Sequence, residues 1–314
     1  MSYPITFRQL EIFNAVARHL NYTRASEELH LSQPAVSMQV KQMENLISAA
    51  LTEKIGKKLF LTDIGRVMLE YSTQVMASKL AMEETLASLQ GEEKGHLRLA
   101  VPETANQFVT LLLAQFRQIH PGISFELQIH NRKGLLKCLK DNAADLVIMG
   151  QTSEELELTT QPFMNNPLVI IAPPKHPLAN KITINLKDLT EVEFVVREQG
   201  SGTRIAMQKF FAKNKIKLKT SMEMPNNEAI KQAVAAGLGF GIVSLHTLQQ
   251  ELTLKQVEVL NVKEMPIMRV WYLVHQNQKV ITPAMNIFSQ FVIQKTQDIW
   301  IGKYPELNAH LQTI

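Results

Sequence analysis

A stretch of 25 residues, from Arg66 to Gln90, contains neither glycine nor proline. As a single helix it would be about 37 Å long, which exceeds the diameter of a small domain. Ser72 and Lys79 interrupt an otherwise apolar stripe along it. Four residues of the stripe repeat every seven positions, namely Met68, Val75, Met82 and Leu89, and Leu69, Met76, Leu80 and Leu86 stand beside them. We predict a helix that pairs loosely with a second copy of the chain, with packing on its own C-terminal domain as the alternative.

This helix divides the 314-residue chain into a small head and a large body. We predict three parts: residues 1–65, a linker over residues 66–94 that ends in the polar hinge GEEKG, and residues 95–314. One cysteine, Cys138, excludes an internal disulfide framework and a cysteine-based zinc site. Neither a signal peptide nor an apolar run of about 18 residues is apparent. We therefore expect a cytoplasmic protein without membrane contact.

The head shows the spacing of three short helices. Apolar residues predict a first helix from Phe7 that ends near residues 19–21, and Thr23 is the predicted N-cap of a second. Ser32 can cap a third helix with Pro34 in its first turn, where the missing N–H costs little. The predicted buried stripe of this third helix is Val36, Val40 and Met43.

The opposite face of the third helix is nearly uncharged. Gln33 stands at its start, and the outward side chains are Pro34, Ser37, Met38, Lys41 and Gln42. Such a face suits insertion into the DNA major groove. The following segment alternates around a glycine and predicts a small hairpin wing, whose lysines contact phosphates or the minor groove: Lys54, Lys57 and Lys58. The alternative is a three-helix bundle with no nucleic-acid role.

Net charge does not identify the DNA-binding part. The chain carries +4, but residues 1–65 contribute only +1, residues 66–94 contribute −2 and residues 95–314 contribute +5. Part of the last excess is four lysines at positions 213, 215, 217 and 219, whose alternation predicts one solvated strand face rather than an anion site. The placement of charge is therefore more informative than its sum.

The head resembles a known family throughout its length. FRQL at 7–10, YTRAS at 22–26, LHLSQPAVS at 29–37, LT at 61–62 and Gly65 closely resemble the winged helix-turn-helix of LysR-type transcriptional regulators. This resemblance implies DNA recognition by Gln33, Ser37 and their neighbours Ser32, Pro34, Met38 and Lys41. It also implies backbone anchoring by Thr23 and Arg24, and contacts from the wing.

The resemblance further implies a homo-oligomer that dimerises through the linker helix, either a dimer or a tetramer. Promoter DNA is the expected partner, and the resemblance allows RNA polymerase as a second one. Ser48, Thr52 and Lys54 depart from the Gly, Phe and Arg usual in the family, and Met38 stands where a basic residue is common. Thr52 is expected to weaken the packing of the wing, and Lys54 cannot make the bidentate phosphate contact of arginine.

Strand-like and helix-like stretches alternate through the body, which is typical of βαβ units in a parallel, doubly wound α/β sheet. The predicted strands are residues 97–101, 125–129, 145–149, 168–172, 194–196, 240–243 and 269–274. The predicted helices are residues 108–119, 135–139, 204–212, 229–236 and 284 to about 295. An inserted second block describes two lobes, about 95–165 with 269–298, and about 166–268. The family resemblance likewise implies a two-lobed, periplasmic-binding-protein-like effector domain, followed by a short extension.

Three loops follow predicted strands, where ligands of such sheets lie. The first is Pro102, Glu103 and Thr104, and the second contains Gly150 and Gln151. The third opens a helix with Gly200, Ser201, Gly202, Thr203 and Arg204. Backbone N–H groups, the helix dipole and a guanidinium there predict a cradle for an anion. The alternative is a capped helix start with no ligand.

Two runs, REQGSGTR at 197–204 and NNEAIKQAVAAGLG at 226–239, resemble the branch of the family that controls carbon-fixation (RuBisCO) operons. That resemblance implies a phosphorylated or nucleotide metabolite as effector. No cofactor and no metal site are expected.

An enzyme is the competing hypothesis, together with a small-molecule binding protein that has no DNA role. No GxSxG, Walker or zincin motif occurs, and the histidines lack metal-ligand spacing. Cys138 lies in an apolar helix pattern typical of a core residue. We therefore predict a sequence-specific transcriptional regulator that is not an enzyme. A small, anionic metabolite bound between the lobes would modulate how the protein activates or represses transcription.

Overall fold

The computed structural model describes residues 3–91, 93–153, 156–305 and 307. The chain forms two compact units. The first runs to Gln90 and includes Lys279–Thr282, and the second comprises Gly91–Gln278 and the residues from Pro283 onward. Within the described ranges, no helix is both long and apolar enough to cross a membrane.

Three helices open the first unit, as the apolar spacing predicts: α1 (Phe7–His19), α2 (Tyr22–Glu28) and α3 (Gln33–Ile47). Ser32 caps α3, and its Oγ accepts a hydrogen bond from the Ala35 N–H at 3.4 Å. The prediction that Thr23 caps α2 is wrong. Asn21 is the N-cap, because its Oδ1 accepts from the N–H groups of Thr23 and Arg24 at 2.8 and 3.1 Å. The predicted stripe of α3 is fully buried: Val36, Val40 and Met43.

The predicted wing is an antiparallel hairpin of β1 (Thr52–Ile55) and β2 (Lys58–Leu61). Glu44 on α3 fixes its base, since one carboxylate oxygen accepts from the N–H groups of Leu51 and Thr52 at 2.9 and 3.3 Å. Thr52 also lies 3.0 Å from the Tyr22 hydroxyl. Thr52, which stands where the family usually has an aromatic side chain, thus attaches the wing to α2 through a hydrogen bond. Ser48, in the usual place of a glycine, ends α3 in the left-handed conformation with φ +53°.

The long helix α4 spans Asp63–Leu89 and begins three residues earlier than predicted. Thr62 is its N-cap, with Oγ1 accepting from the Gly65 N–H at 3.0 Å. Met68 and Leu69 pack on the core of the head. Farther along, the apolar stripe is exposed within this chain at Val75, Leu80, Met82, Leu86 and Leu89.

The second unit begins with six elements: β3 (Gly95–Val101), α5 (Asn106–Ile119), β4 (Ile123–Ile129), α6 (Arg132–Lys140), β5 (Leu146–Met149) and β6 (Leu158–Asn165). Its middle part contains β7 (Leu168–Ala172), β8 (Glu193–Arg197), α7 (Gly202–Lys213), β9 (Lys219–Met224), α8 (Asn227–Ala235), β10 (Phe240–Ser244), α9 (Gln249–Thr253) and β11 (Glu258–Val259). The chain returns through β12 (Val270–Gln276) and ends with α10 (Pro283–Lys303).

These strands form two five-stranded sheets, in the orders β4-β3-β5-β12-β6 and β11-β7-β10-β8-β9. In the first sheet β3, β4 and β5 are parallel, while β12 is antiparallel to β5 and β6. In the second sheet β8, β9 and β10 are parallel, while β7 is antiparallel to β10. Both sheets are therefore mixed, whereas the alternation of strands and helices predicts a parallel, doubly wound sheet. A fully buried strand is apolar throughout whichever way it runs, so the sequence pattern cannot distinguish parallel from antiparallel pairing.

Three other features differ from the sequence-based expectations. Strand β6 was not predicted, because its outward residues alternate only weakly with apolar ones. Residues 213–218 are not a strand, since Lys213 ends α7 and Lys215 adopts φ +57° in the following turn, and of the four lysines only Lys219 belongs to a strand, β9. Helix α10 continues to Lys303, and Trp300 in the predicted short extension is buried in the core.

Candidate effector cavity and DNA-binding surface

One exposed face of α3 forms an open, shallow depression, which we call the α3 surface. Five predicted DNA-contacting residues line it together: Gln33, Pro34, Ser37, Met38 and Lys41. Gln42 and Asn45 complete it. Met38 is 54% exposed, although its neighbours Val36 and Val40 are fully buried. The α3 surface has one cation, Lys41, whose Nζ lies 3.4 Å from the Glu44 carboxylate. Uncharged groups on an exposed helix can hydrogen-bond base edges in the major groove.

The other predicted DNA-contacting residues are exposed on the head outside this depression: Thr23, Arg24, Ser32, Lys54, Lys57 and Lys58. Lys54 belongs to β1, Lys58 begins β2, and Lys57 lies in the turn between them. The hairpin therefore presents three ammonium groups within five residues. Such a cluster suits phosphate contacts, which position a protein on DNA but carry no sequence information.

A cavity of about 470 Å³ lies in the second unit, where β3, β5 and β8 end. Its volume falls in the range usual for small-ligand sites. Eight of the ten predicted effector-binding residues line it: Pro102, Glu103, Thr104, Gly150, Gln151, Ser201, Gly202 and Thr203. The three predicted loops therefore meet at one place, as the rule for strand ends indicates.

Gly200 and Arg204 do not line the cavity. The Arg204 guanidinium instead donates to the carbonyl oxygen of Arg197 at 2.7 Å and forms a close ion pair with Glu223 on β9. The expectation that Arg204 contributes to an anion cradle is therefore wrong. Successive side chains of a helix point in directions about 100° apart. Arg204 is the third residue of α7, and its side chain points toward β9 rather than into the cavity.

Two other arginines, Arg132 and Arg269, meet in the cavity, and with the start of α7 they form what we call the cationic end. A Cβ at Gly150 would lie 2.7 Å from Nη2 of Arg269, and a Cβ at Gly202 would lie 3.4 Å from it. Both glycines thus leave room for this guanidinium. In the described part of the chain, the Arg269 side chain makes no hydrogen bond and no ion pair. Burial and the charge of Arg132 lower the pKa of Arg269 to about 10.

Arg132 is only partly satisfied by the protein. Its Nη2 donates to the carbonyl oxygen of Thr152 at 3.2 Å, and its buried Nε has no partner among the described residues. Helix α7 starts beside these guanidinium groups, and its N-cap residue Ser201 makes no side-chain capping bond within the described structure. Free N–H groups and the positive end of the helix dipole add to the local positive potential. Two cations at a helix N-terminus repel one another unless an anion joins them.

The lining of the cavity also contains Glu103, Arg197 and Glu198, which we call the acidic end. Arg197 is 7% exposed, and its Nε and Nη2 donate to the Glu198 carboxylate at 2.8 and 3.2 Å. Glu103 Oε2 lies 3.7 Å from Arg197 Nη1 and accepts from the Asn227 N–H at the start of α8 at 3.0 Å. Two carboxylates around one guanidinium leave this end with a net negative charge.

An aromatic cluster lies behind the cavity. Trp271 lines the cavity, and its Nε1 donates to His246 Nδ1 at 3.3 Å. The His246 ring packs edge-on against Trp300 of α10 with centroids 4.8 Å apart. Burial lowers the pKa of His246 to about 4, so the ring is neutral near pH 7.

Three arginines of the cavity are not among the residues predicted from the sequence: Arg132, Arg197 and Arg269. Arg132 follows strand β4 by three residues, so the same strand-end rule could have included it. Arg197 is the last residue of β8, a position the rule also favours. Arg269 lies before β12, and its backbone pairs with Asn166 in both directions at 2.8 and 3.2 Å. These paired segments connect the two sheets, and no local pattern marked them as part of a site.

The head with its α3 surface and the two-sheet unit with its cavity define a transcription regulator that carries an effector-binding domain. Residues 7–66 match the bacterial regulatory helix-turn-helix proteins of the lysR family, and residues 90–297 match the LysR substrate binding domain. The chain therefore belongs to the LysR family of transcriptional regulators, and an enzyme or a binding protein without a DNA role is not favoured.

The relatives include proteins of carbon fixation, as the two quoted runs predicted. A RuBisCO operon transcriptional regulator of Allochromatium vinosum is 48% identical over 291 residues, which are 93% of this chain and 96% of that protein. The regulatory domain of Synechocystis CcmR, solved in complex with 2-PG, is 38% identical with a TM-score of 0.63 and covers 65% of this chain and 99% of that one. A full-length OxyR of Pseudomonas aeruginosa has a TM-score of 0.76 at 18% identity, with 96% of each chain covered, which shows the shared fold. The chain thus falls in the carbon-fixation branch of the family.

Proposed function

We propose that the effector of this regulator is a small phosphorylated anion held at the cationic end of the cavity. The observation that carries the proposal is the Arg269 guanidinium, which is half-buried beside Arg132 and has no counter-ion in the described structure. Burying an unpaired charge is costly, and an anion would remove that cost. The 2-PG bound to the CcmR domain, which is 38% identical, supports the same ligand chemistry.

The contacts proposed for the anion are the guanidinium groups of Arg132 and Arg269 and the free N–H groups at the start of α7. Thr203 and Thr104 are both buried and both line the cavity, so their hydroxyls are proposed as further donors. Glycines at 150 and 202 keep the space open. A nucleotide is the second candidate among ligands implied by the family resemblance, and the cavity of about 470 Å³ favours the smaller metabolite.

On the DNA side, we propose that the α3 surface enters the major groove of a partly palindromic promoter site. Gln33 and Ser37 would read base edges, while Thr23, Arg24 and the wing lysines would contact phosphates. The exposed stripe of α4 supports pairing with a second copy, as a dimer or a dimer of dimers. We also propose that the chain is divided into a head of residues 1–65, a linker of residues 66–94 and a body of residues 95–314. The proposal further places the protein in the cytoplasm and includes contact with RNA polymerase.

Titration calorimetry with 2-PG and with inorganic phosphate tests the proposal. We expect binding to the wild-type protein, and about 10- to 100-fold weaker binding to Arg132→Met, because a charge-assisted hydrogen bond is lost. Arg117→Met is the matched control, since Arg117 is exposed on α5 outside the cavity. Footprinting of the promoter should change on addition of 2-PG for the wild type and the control but not for Arg132→Met. Equal affinity in all three proteins would refute the cationic site.

A further inference from the structure

We propose that Met38 contacts the C5-methyl group of a thymine in the DNA major groove and thereby selects that base. The inference rests on the proposed entry of the α3 surface into the groove, and it adds a base identity to that proposal. Met38 is the sixth residue of α3 and the middle one, in chain order, of the seven residues that line the α3 surface. It therefore lies in the N-terminal half of the helix, the part of a recognition helix that contacts base edges.

The fold of the head does not depend on Met38. This residue is 54% exposed, whereas Met43 on the same helix is fully buried. Neither apolar cluster of the described head includes Met38, although both clusters contain other side chains of α3. Exposed substitutions of this kind change stability little. Variants at this position therefore report on the contacts of the α3 surface rather than on folding.

The chemistry of Met38 differs from that of its neighbours on the α3 surface. Four of these neighbours carry uncharged polar side chains: Gln33, Ser37, Gln42 and Asn45. Met38 offers a flexible thioether, which makes good apolar contacts but has no proton to donate to a phosphate oxygen. Among the groups that base pairs present in the major groove, the C5-methyl of thymine is the apolar one. The side chain of Met38 therefore matches thymine better than it matches any other base or the phosphate backbone.

Replacing thymine by uracil tests the inference, because uracil forms the same base pair but lacks the methyl group. The probe is a DNA duplex that the full-length wild-type protein selects from a random-sequence library. Each thymine of this duplex is then replaced singly by deoxyuridine, and binding is measured by fluorescence anisotropy. We expect at least one replacement to weaken binding to the wild-type protein about threefold to fivefold, since burying one methyl group contributes a factor of this size.

The variants show whether this effect depends on Met38. In Met38→Gln, the same replacement should change the affinity less than about 1.5-fold, because glutamine has a similar length and helix propensity but a polar end. Met38→Leu keeps an apolar side chain and should retain a methyl effect of at least about twofold. Met268→Gln is the matched control, since Met268 is 56% exposed and belongs to the second unit. It should show the wild-type effect at every thymine.

Equal methyl effects in the wild type and Met38→Gln would overturn the inference, and so would a selected duplex in which no uracil replacement weakens binding. Gln33→Ala separates these results from a failure of the proposed DNA surface. Gln33→Ala and Met38→Gln could both prefer the selected duplex over a scrambled one by the wild-type ratio. The α3 surface would then not contact bases, and the DNA-side proposal itself would be refuted. A changed ratio in Gln33→Ala, together with unaltered methyl effects in Met38→Gln, would overturn the assignment of Met38 alone.

Discussion

Replacing Arg269 by methionine should stabilise the protein without ligand and remove its stabilisation by ligand. In the folded state, burial and the charge of Arg132 lower the pKa of Arg269 from its usual value to about 10. At 1.36 kcal/mol for each pKa unit, holding this charge in the folded protein costs about 3 kcal/mol as an upper bound. Methionine fills the space of the arginine stem and carries no charge. We expect the free energy of unfolding to rise by about 1–3 kcal/mol.

The sign of the pH dependence follows from the same shift. The folded pKa is depressed, so the folded protein binds this proton less tightly than the unfolded chain does. The cost is constant while both states are protonated, and it declines only as the pH rises above about 10. The gain in Arg269→Met should therefore be the same across the neutral range.

Urea denaturation with and without ligand measures both effects. A ligand at about 100 times its Kd should add about 2.7 kcal/mol to the wild-type protein and little to Arg269→Met. Arg117→Met should behave as the wild type in both conditions. A variant that is less stable than wild type without ligand, or that keeps the full ligand effect, would refute the reasoning from an uncompensated buried cation.

Three other perturbations give clear expectations. Gly65→Ala should destabilise the head by about 2 kcal/mol or more in urea denaturation, since its Cβ would lie 2.0 Å from the Leu51 carbonyl oxygen, whereas Gly302→Ala on α10 meets nothing within 4 Å and should be neutral or better. Lys57→Ala should weaken binding to all DNA sites alike and reduce the slope of log K against log salt by about one, as measured by anisotropy; an unchanged slope would exclude a phosphate contact. The pKa of His246 is depressed to about 4, so its contribution to stability is full above about pH 6.5 and is lost as the pH falls toward 4. His246→Gln, which keeps an acceptor for Trp271, should remove up to about 3 kcal/mol of that acid sensitivity; equal acid profiles would contradict this.

The parts of the fold that follow from local pattern were predicted well. Helix α3 carries its own cap at Ser32, its Pro34 in the first turn and a buried stripe, so its start, face and burial all follow from spacing. The second helix shows the limit of such reasoning. Asn21 and Thr23 are both residue types that cap helices well, and sequence alone does not show that Asn21 is the one whose side chain accepts from the first N–H groups of α2.

The sequence predicts the loops that line the cavity but not its arginines. The strand-end rule pointed to Glu103, Gly150 and Gly202: the first two follow β3 and β5 of one sheet, Gly202 follows β8 of the other, and all three line the cavity. It could not distinguish Arg204 from Arg269. The first is adjacent in sequence but is turned toward β9, whereas the second arrives from 65 residues farther along through the crossing segments. Side-chain direction and long-range strand pairing decide such a choice, and neither is a local property.

The position of Trp271 makes the protein its own optical sensor. The chain has two tryptophans, and neither is in residues 1–90. Trp271 forms part of the cavity wall, and Trp300 is linked to it through the His246 ring. Selective excitation of indole fluorescence therefore reports on the effector-binding unit alone, even while the head is bound to DNA. Ligand titrations on the full-length protein with its promoter can accordingly be followed without a label.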